Sequence, residues 1–194
     1  MKTYTIIGGI NGTGKSSLTG VLRTELGDLG KIIDVDKLNI IHGDIISGGK
    51  AAVKLINECL GKGICFTQET TLSGHKTANT AKAALERGYY VRLYYVGLNS
   101  LEESLKRIQN RVAKGGHDIP RENVERRFKT RFADVAAVLP YCNEATFYDN
   151  ENGFRTVAKC KNAELDFVGN NTPEWMVELS KYLSITENLC VTIL

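Results

Sequence analysis

Cysteine, proline and excess charge all play a small part in this chain. Only three prolines occur among 194 residues. No repeat, low-complexity tract or linker-like stretch divides the sequence, so a single domain over 1–194 is expected. No apolar run approaches the length of a membrane span. The N-terminus carries Lys2 but only a brief apolar run before Gly8, which argues against a signal peptide. The five cysteines, Cys59, Cys65, Cys142, Cys160 and Cys190, are odd in number and scattered, without a C-x-x-C pair. That pattern speaks against a disulfide framework or a cysteine metal site and suits a reducing cytoplasm. Cys59, Cys65 and Cys160 stand in apolar or strand-like settings where buried thiols are expected. A net charge of +3 is too mild to argue for nucleic acid or a membrane surface as partner. What remains is an ordinary core-forming composition, 42% hydrophobic and 24% charged, and a glycine-rich stretch near the start.

Apolar periodicity alternates between strand and helix along the chain. Strands are expected at 3–9, 31–36, 64–69, 89–98 and 144–150. Between them, helices are expected over 15–26, 51–60 and 76–87. Ser100 with Glu103 three residues on forms a capping box that opens a further helix, carried by Leu101, Leu105, Ile108 and Val112. The chain breaks at Gly115-Gly116 and restarts near Pro120, a favoured first helical position. Two alternating runs around Asn162-Ala163 predict a hairpin, followed by a helix over about 173–183, so that a hairpin and helix occupy 155–194. Such alternation with continuously apolar strands predicts an α/β fold, a parallel sheet with helices on both faces. Ligands of such sheets bind beyond the carboxyl ends of the strands. Loop 8–16, Asp36 and Gln68-Glu69-Thr70-Thr71 should therefore converge.

Gly9-x-x-x-x-Gly14-Lys15-Ser16 is a P-loop pattern in its required context, after a strand and before a helix. Gly9, Asn11, Gly12, Thr13, Gly14, Lys15, Ser16 and Ser17 are the expected nucleotide-binding residues, because successive backbone N–H groups and a helix N-terminus hold phosphate oxygens there. Lys15 bridges the terminal phosphates in this scheme, and Ser16 is the Mg²⁺ ligand. A glycine turn that merely joins strand to helix is the plain alternative. A dinucleotide-binding loop is excluded, since Gly12-x-Gly14-x-x-Ser17 lacks the third glycine.

Among P-loop chemistries, a GTP-dependent switch needs N-K-x-D or T-K-x-D, and neither occurs. The stretch "ISGGKA" at 46–51 is similar to a transporter signature, yet no apolar strand ending in Asp-Glu follows; a flexible loop capping a helix fits Ser47-Gly48-Gly49 better. A kinase needs a carboxylate near the acceptor hydroxyl and arginines to neutralise moving charge. Asp36, at the end of the second strand, is the candidate base, with helix capping or a water-mediated Mg²⁺ contact as alternatives. Glu69 is a candidate for orienting substrate or metal water, with N-capping as its alternative. Cations crowd 107–131, where Gly115-Gly116 provides a hinge and Val124, Phe128 and Phe132 an apolar face. A helical lid follows, with Arg111, Arg121 and Arg127 as the arginines expected to reach the phosphates, although a plain solvated face accounts for several of these charges.

"GGINGTGKSS", "IDVD", "QETTLSG", "GYYVRLYYVGL", "RVAKGGHDIPRENVERRF" and "FYDN" together resemble the zeta toxin family, closest to its small bacterial members labelled predicted ABC-type ATPases. The resemblance spans about 4–150. It implies a P-loop NTPase three-layer sandwich of kinase type, and ATP-dependent phosphorylation of a small-molecule hydroxyl, with UDP-N-acetylglucosamine as the family's best-known acceptor. By position, Lys15 and Ser16 match the P-loop pair, Asp36 the base, and Glu69 and Thr71 the E-x-T that lines the acceptor pocket. The resemblance also implies a toxin–antitoxin pairing, with any antitoxin on a separate chain. A P-loop ATPase or nucleotide-binding regulatory module without a phosphorylated acceptor is the alternative function.

Overall fold

A computed structural model of the chain describes residues 1–186. Cys190 and the tail of the predicted C-terminal segment lie outside the described residues. The chain runs β1 (Thr3–Gly8), α1 (Lys15–Leu26), β2 (Lys31–Asp34), α2 (Val35–His42), α3 (Ile45–Lys62), β3 (Phe66–Thr70), α4 (Lys76–Glu86) and β4 (Tyr90–Gly97). It continues through α5 (Leu101–Ala113), α6 (Arg121–Val138), a 3-10 turn at Leu139–Tyr141, β5 (Glu144–Asp149), β6 (Arg155–Lys161), β7 (Glu164–Phe167) and α7 (Glu174–Ile185).

The strands form one sheet in the order β2-β3-β1-β4-β5-β6-β7. β1 to β5 are parallel, and β6 and β7 are antiparallel to their neighbours. Alternation along β1 divides the core. Ile6 joins the large cluster under α3, α4, α6 and α7, whereas Ile7 packs with Leu18 and Leu22 of α1 on the opposite face. Ile108, Ile119 and Val124 make a third, separate cluster between α5 and α6. At the far end of the sheet Asn162 and Ala163 both take positive φ, 53° and 61°, as a two-residue hairpin turn with the strands' own twist requires. Among the described residues no disulfide is present; Cys59, Cys65, Cys142 and Cys160 are free. No described helix is long and apolar enough to cross a membrane.

Two expectations are corrected. The second strand stops at Asp34 rather than running through Asp36, because the Asp34 carboxylate accepts a hydrogen bond from the Lys37 N–H (3.1 Å) and starts α2. Asp36 therefore stands in the first turn of a helix, and the capping weighed for it belongs to Asp34. Ser47-Gly48-Gly49 is not a loop but part of α3, which Asp44 opens by accepting from the N–H groups of Ile46 and Ser47. Gly48 belongs inside a helix because α2 crosses there: a Cβ would lie 2.5 Å from the Asn39 backbone.

Candidate active site

The loop 9–14 leaves β1 and enters α1 at Gly14, whose φ of 98° is open to glycine and costly for other residues. A Cβ at Gly14 would also meet the Asn150 amide at 2.6 Å. Three outside groups fix the loop. Ser104 Oγ of α5 donates to the Asn11 carbonyl (2.6 Å), Asn150 Nδ2 beyond β5 donates to the Thr13 carbonyl (2.7 Å), and Arg127 of α6 donates to Asn11 Oδ1 (2.5 Å). Within the loop, Thr13 Oγ1 donates to the Ile10 carbonyl (2.9 Å).

Lys15 is buried, and its ammonium donates to the carbonyls of Gly9 (2.9 Å) and Ile10 (3.0 Å). Burial lowers its pKa, and the Asp36 and Glu69 carboxylates partly offset that. Ser16 Oγ donates to Glu69 Oε2 and Thr19 Oγ1 to Glu69 Oε1, both at 2.6 Å. Glu69 is thus drawn to the phosphate-loop helix, and N-capping does not describe it. Thr71 instead sits in the following loop, its hydroxyl donating to Ser73 Oγ (3.2 Å).

These residues open onto a cleft of about 880 Å³. The loop, Asp36 and the end of β3 converge there as expected, and Thr71 and Ser17 line it too. The Asp36 carboxylate makes no hydrogen bond among the described residues, but its charge acts on both Lys15 and Arg127. Arg127 is half-buried, and burial pulls its pKa down against that attraction.

The three expected arginines part company. Arg127 and Arg111 line the cleft, Arg111 also donating to the His117 carbonyl (2.6 Å). Arg121 does not line it; exposed on the outer side of α6, it pairs with Glu125 at 2.7 Å. Arg126 and Arg107 line the cleft in its place, and Arg107 donates to the Asn150 carbonyl (2.7 Å). Helical phase explains this, since 126 and 127 face inward together where 121 faces away. Sequence reasoning also missed Asp34, which lines the cleft, and the two loop tethers Ser104 and Asn150. Ser104 carried a signal, for it lies one turn beyond the Ser100 cap on the buried side of α5.

The donor set suits Mg²⁺ with a nucleotide. Among the described residues no cluster of three or more His, Cys, Asp or Glu could hold a metal alone. A hydroxyl and one carboxylate completed by phosphates and water is the manner in which Mg²⁺ binds.

No protein-family model matches the chain. An uncharacterised protein of Haemophilus influenzae is 36% identical over 127 residues, covering 62% of this chain and 88% of that protein. The chain belongs to that protein's family. Among solved structures, the PezAT toxin–antitoxin system of Streptococcus pneumoniae superposes with a TM-score of 0.64 at 16% identity, covering 97% of this chain and 87% of that one. The AvrRxo1-ORF1:AvrRxo1-ORF2 complex with sulphate ions gives 0.70 at 15% identity, covering 93% and 64%. Its form with ATP gives 0.57 at 14%, covering 95% and 64%. This chain therefore shares the fold of these solved structures.

Proposed function

We propose that this chain is an ATP- and Mg²⁺-dependent phosphotransferase acting on a hydroxyl of a small molecule, with UDP-N-acetylglucosamine as the leading acceptor. The observation that carries this reading is the position of Asp36: a carboxylate lining the same cleft as the phosphate-binding loop, whose charge acts on both Lys15 and Arg127. Support for ATP comes from the glycine-rich loop leading into the N-terminus of α1 and from the ATP complex of a structural neighbour.

Loop amides and the N-terminus of α1 hold the β- and γ-phosphates, and Lys15 turns its ammonium from the loop carbonyls toward them. Ser16 Oγ would hold Mg²⁺, and Glu69 would orient that hydroxyl, to which it is already bonded. The chemistry supplied by Mg²⁺ held there would be neutralisation of the phosphate charge. The acceptor oxygen forms a bond to the γ-phosphorus as the bond to the β-phosphate oxygen breaks, and Asp36 takes the hydroxyl proton. Arg111, Arg126 and Arg127 stabilise charge on the moving group, with 107–131 acting as a lid. Because two of the solved neighbours are a toxin–antitoxin system and a two-chain complex, a separate antitoxin-like chain is proposed as partner.

The test is incubation with labelled ATP and a panel of UDP-sugars, nucleosides and small metabolites, read by mass spectrometry. A phosphorylated acceptor is expected, and Asp36→Asn should abolish it while nucleotide still binds. Release of free phosphate with every acceptor left unmodified would overturn the reading in favour of an ATPase.

A further inference from the structure

Consecutive residues of β3 face opposite sides of the sheet. Glu69 turns to α1, where it holds Ser16 and Thr19. Gln68 turns the other way, with Phe66, toward the cluster beneath α3 and α4. It is 6% exposed and nonetheless lines the cleft. Thr70, next on that face, touches Thr77 at the start of α4 (3.3 Å). The loop and Lys15 occupy one side of the cleft, so the Gln68 side is left for the molecule that receives the phosphate.

Gln68 is not free to turn its amide. Tyr4, one pair back on β1 and opposite Phe66, donates its buried hydroxyl to Gln68 Oε1. Tyr4 is fully buried and stacked on Phe66 with ring centroids 4.3 Å apart. A buried phenol must place its proton on an acceptor, and burial keeps that proton in place by raising its pKa well above the ordinary value. The amide oxygen is thereby committed to Tyr4. Nε2, with two N–H donors, has no partner among the described residues.

We infer that Gln68 is a specificity-determining residue for the acceptor, its amide N–H donors held by Tyr4 to receive a carbonyl or phosphoryl oxygen of that molecule. This rests on the phosphotransferase reading. Tyr4 is a positioning residue, since it acts only through Gln68. Seven Lys and Arg side chains line the cleft against three carboxylates, Asp34, Asp36 and Glu69, so an oxygen-rich, anionic acceptor also suits the surroundings. A cationic or purely apolar acceptor does not.

The test compares steady-state kinetics of wild type, Gln68→Leu, Gln68→Glu, Tyr4→Phe and the double variant Tyr4→Phe/Gln68→Leu, with UDP-N-acetylglucosamine tried first and otherwise the acceptor found in the panel. Loss of one hydrogen bond to a polar oxygen is expected to raise the acceptor KM about tenfold in Gln68→Leu. Gln68→Glu keeps Tyr4 satisfied but sets oxygens where donors stood, and should raise it further. Tyr4→Phe should raise it by a smaller factor, and should add nothing once Gln68 is Leu. The double variant leaves no buried phenol unpaired, so it separates the amide's role from a folding defect. The KM for ATP should not move in any of them. An unchanged acceptor KM in Gln68→Leu and the double variant, or equal shifts in both KM values, overturns the role of Gln68 alone. Absence of a phosphorylated product even with wild type overturns the phosphotransferase reading and this subsite with it.

Discussion

Ser16 and Glu69 stand 53 residues apart in sequence yet share a hydrogen bond of 2.6 Å beside the phosphate-binding loop. That single contact joins the third strand to the residue that would hold the metal. The resemblance implies a place for Glu69 in the acceptor pocket, whereas its two carboxylate oxygens are both taken by α1 hydroxyls. Glu69→Gln, which keeps the shape and removes the charge, is expected to raise the Mg²⁺ concentration needed for half-maximal turnover by about 10–100-fold, as losses behind a metal ligand do. A Mg²⁺ titration at saturating ATP checks this, and an unchanged midpoint would separate Glu69 from the metal.

Lys15 presents a conflict between stability and binding. Burial holds its pKa below the ordinary value of about 10.4. The folded protein therefore releases this proton before the unfolded chain does as pH rises. The cost of burying the charge is fully present at neutral pH, and stability from this group increases with pH between the lowered value and about 10.4. Lys15→Met should flatten that alkaline rise and increase the melting temperature of the nucleotide-free protein, while nucleotide affinity falls at least about tenfold, one lost charged contact. Thermal melts from pH 7 to 10, paired with calorimetric titration of ATP, read both effects.

Arg127 and Arg121 lie less than two turns apart on α6 and should behave as opposites. Arg127→Ala removes a half-buried cation and its bond to Asn11, and turnover is expected to fall about 10²-fold or more. Arg121→Ala breaks only an exposed pair with Glu125, and both turnover and stability should stay within about 0.5 kcal/mol of wild type. Equal losses in the two variants would mean that α6 acts through its overall charge rather than through one inward residue.

Trp175 of α7 is buried, and its indole N–H donates to Asp149 at the end of β5 (2.9 Å). Trp175→Phe leaves that buried carboxylate short of a donor and opens space beside Tyr95, whose ring centroid lies 5.9 Å away. A loss of about 2–4 kcal/mol is expected in urea unfolding, combining the unpaired acceptor with the cavity. A change below about 1 kcal/mol would show that α7 docks without this bond.

Signals that repeat along the chain were legible; signals that depend on crossing neighbours were not. β1, α1, α4, β4, β5 and the final hairpin each carry their own periodicity or turn signal, and the glycine loop identified its own surroundings. α2 escaped because none of its residues is fully buried, its core contact is only the short edge of Val35 and Leu38, and Val35 after Ile32-Ile33 reads as more strand. The first turn of α3 escaped because Gly48 looks like a breaker until Asn39 is seen against it. In the site, Lys15, Ser16 and Asp36 could be found from pattern and resemblance. The bonds made by Glu69, Ser104 and Asn150 could not, since each spans from 50 to 137 residues and no spacing rule encodes such distances.

The three side chains that grip the glycine loop come from α5, α6 and the segment after β5, elements that also touch one another through the Ile108–Val124 cluster and the Arg107–Asn150 bond. Whatever fills the loop must therefore be felt in all three places at once. Exchange of Ser104 or Asn150, neither of them part of the loop, would register in assays as poor affinity for ATP even with every residue of the loop intact.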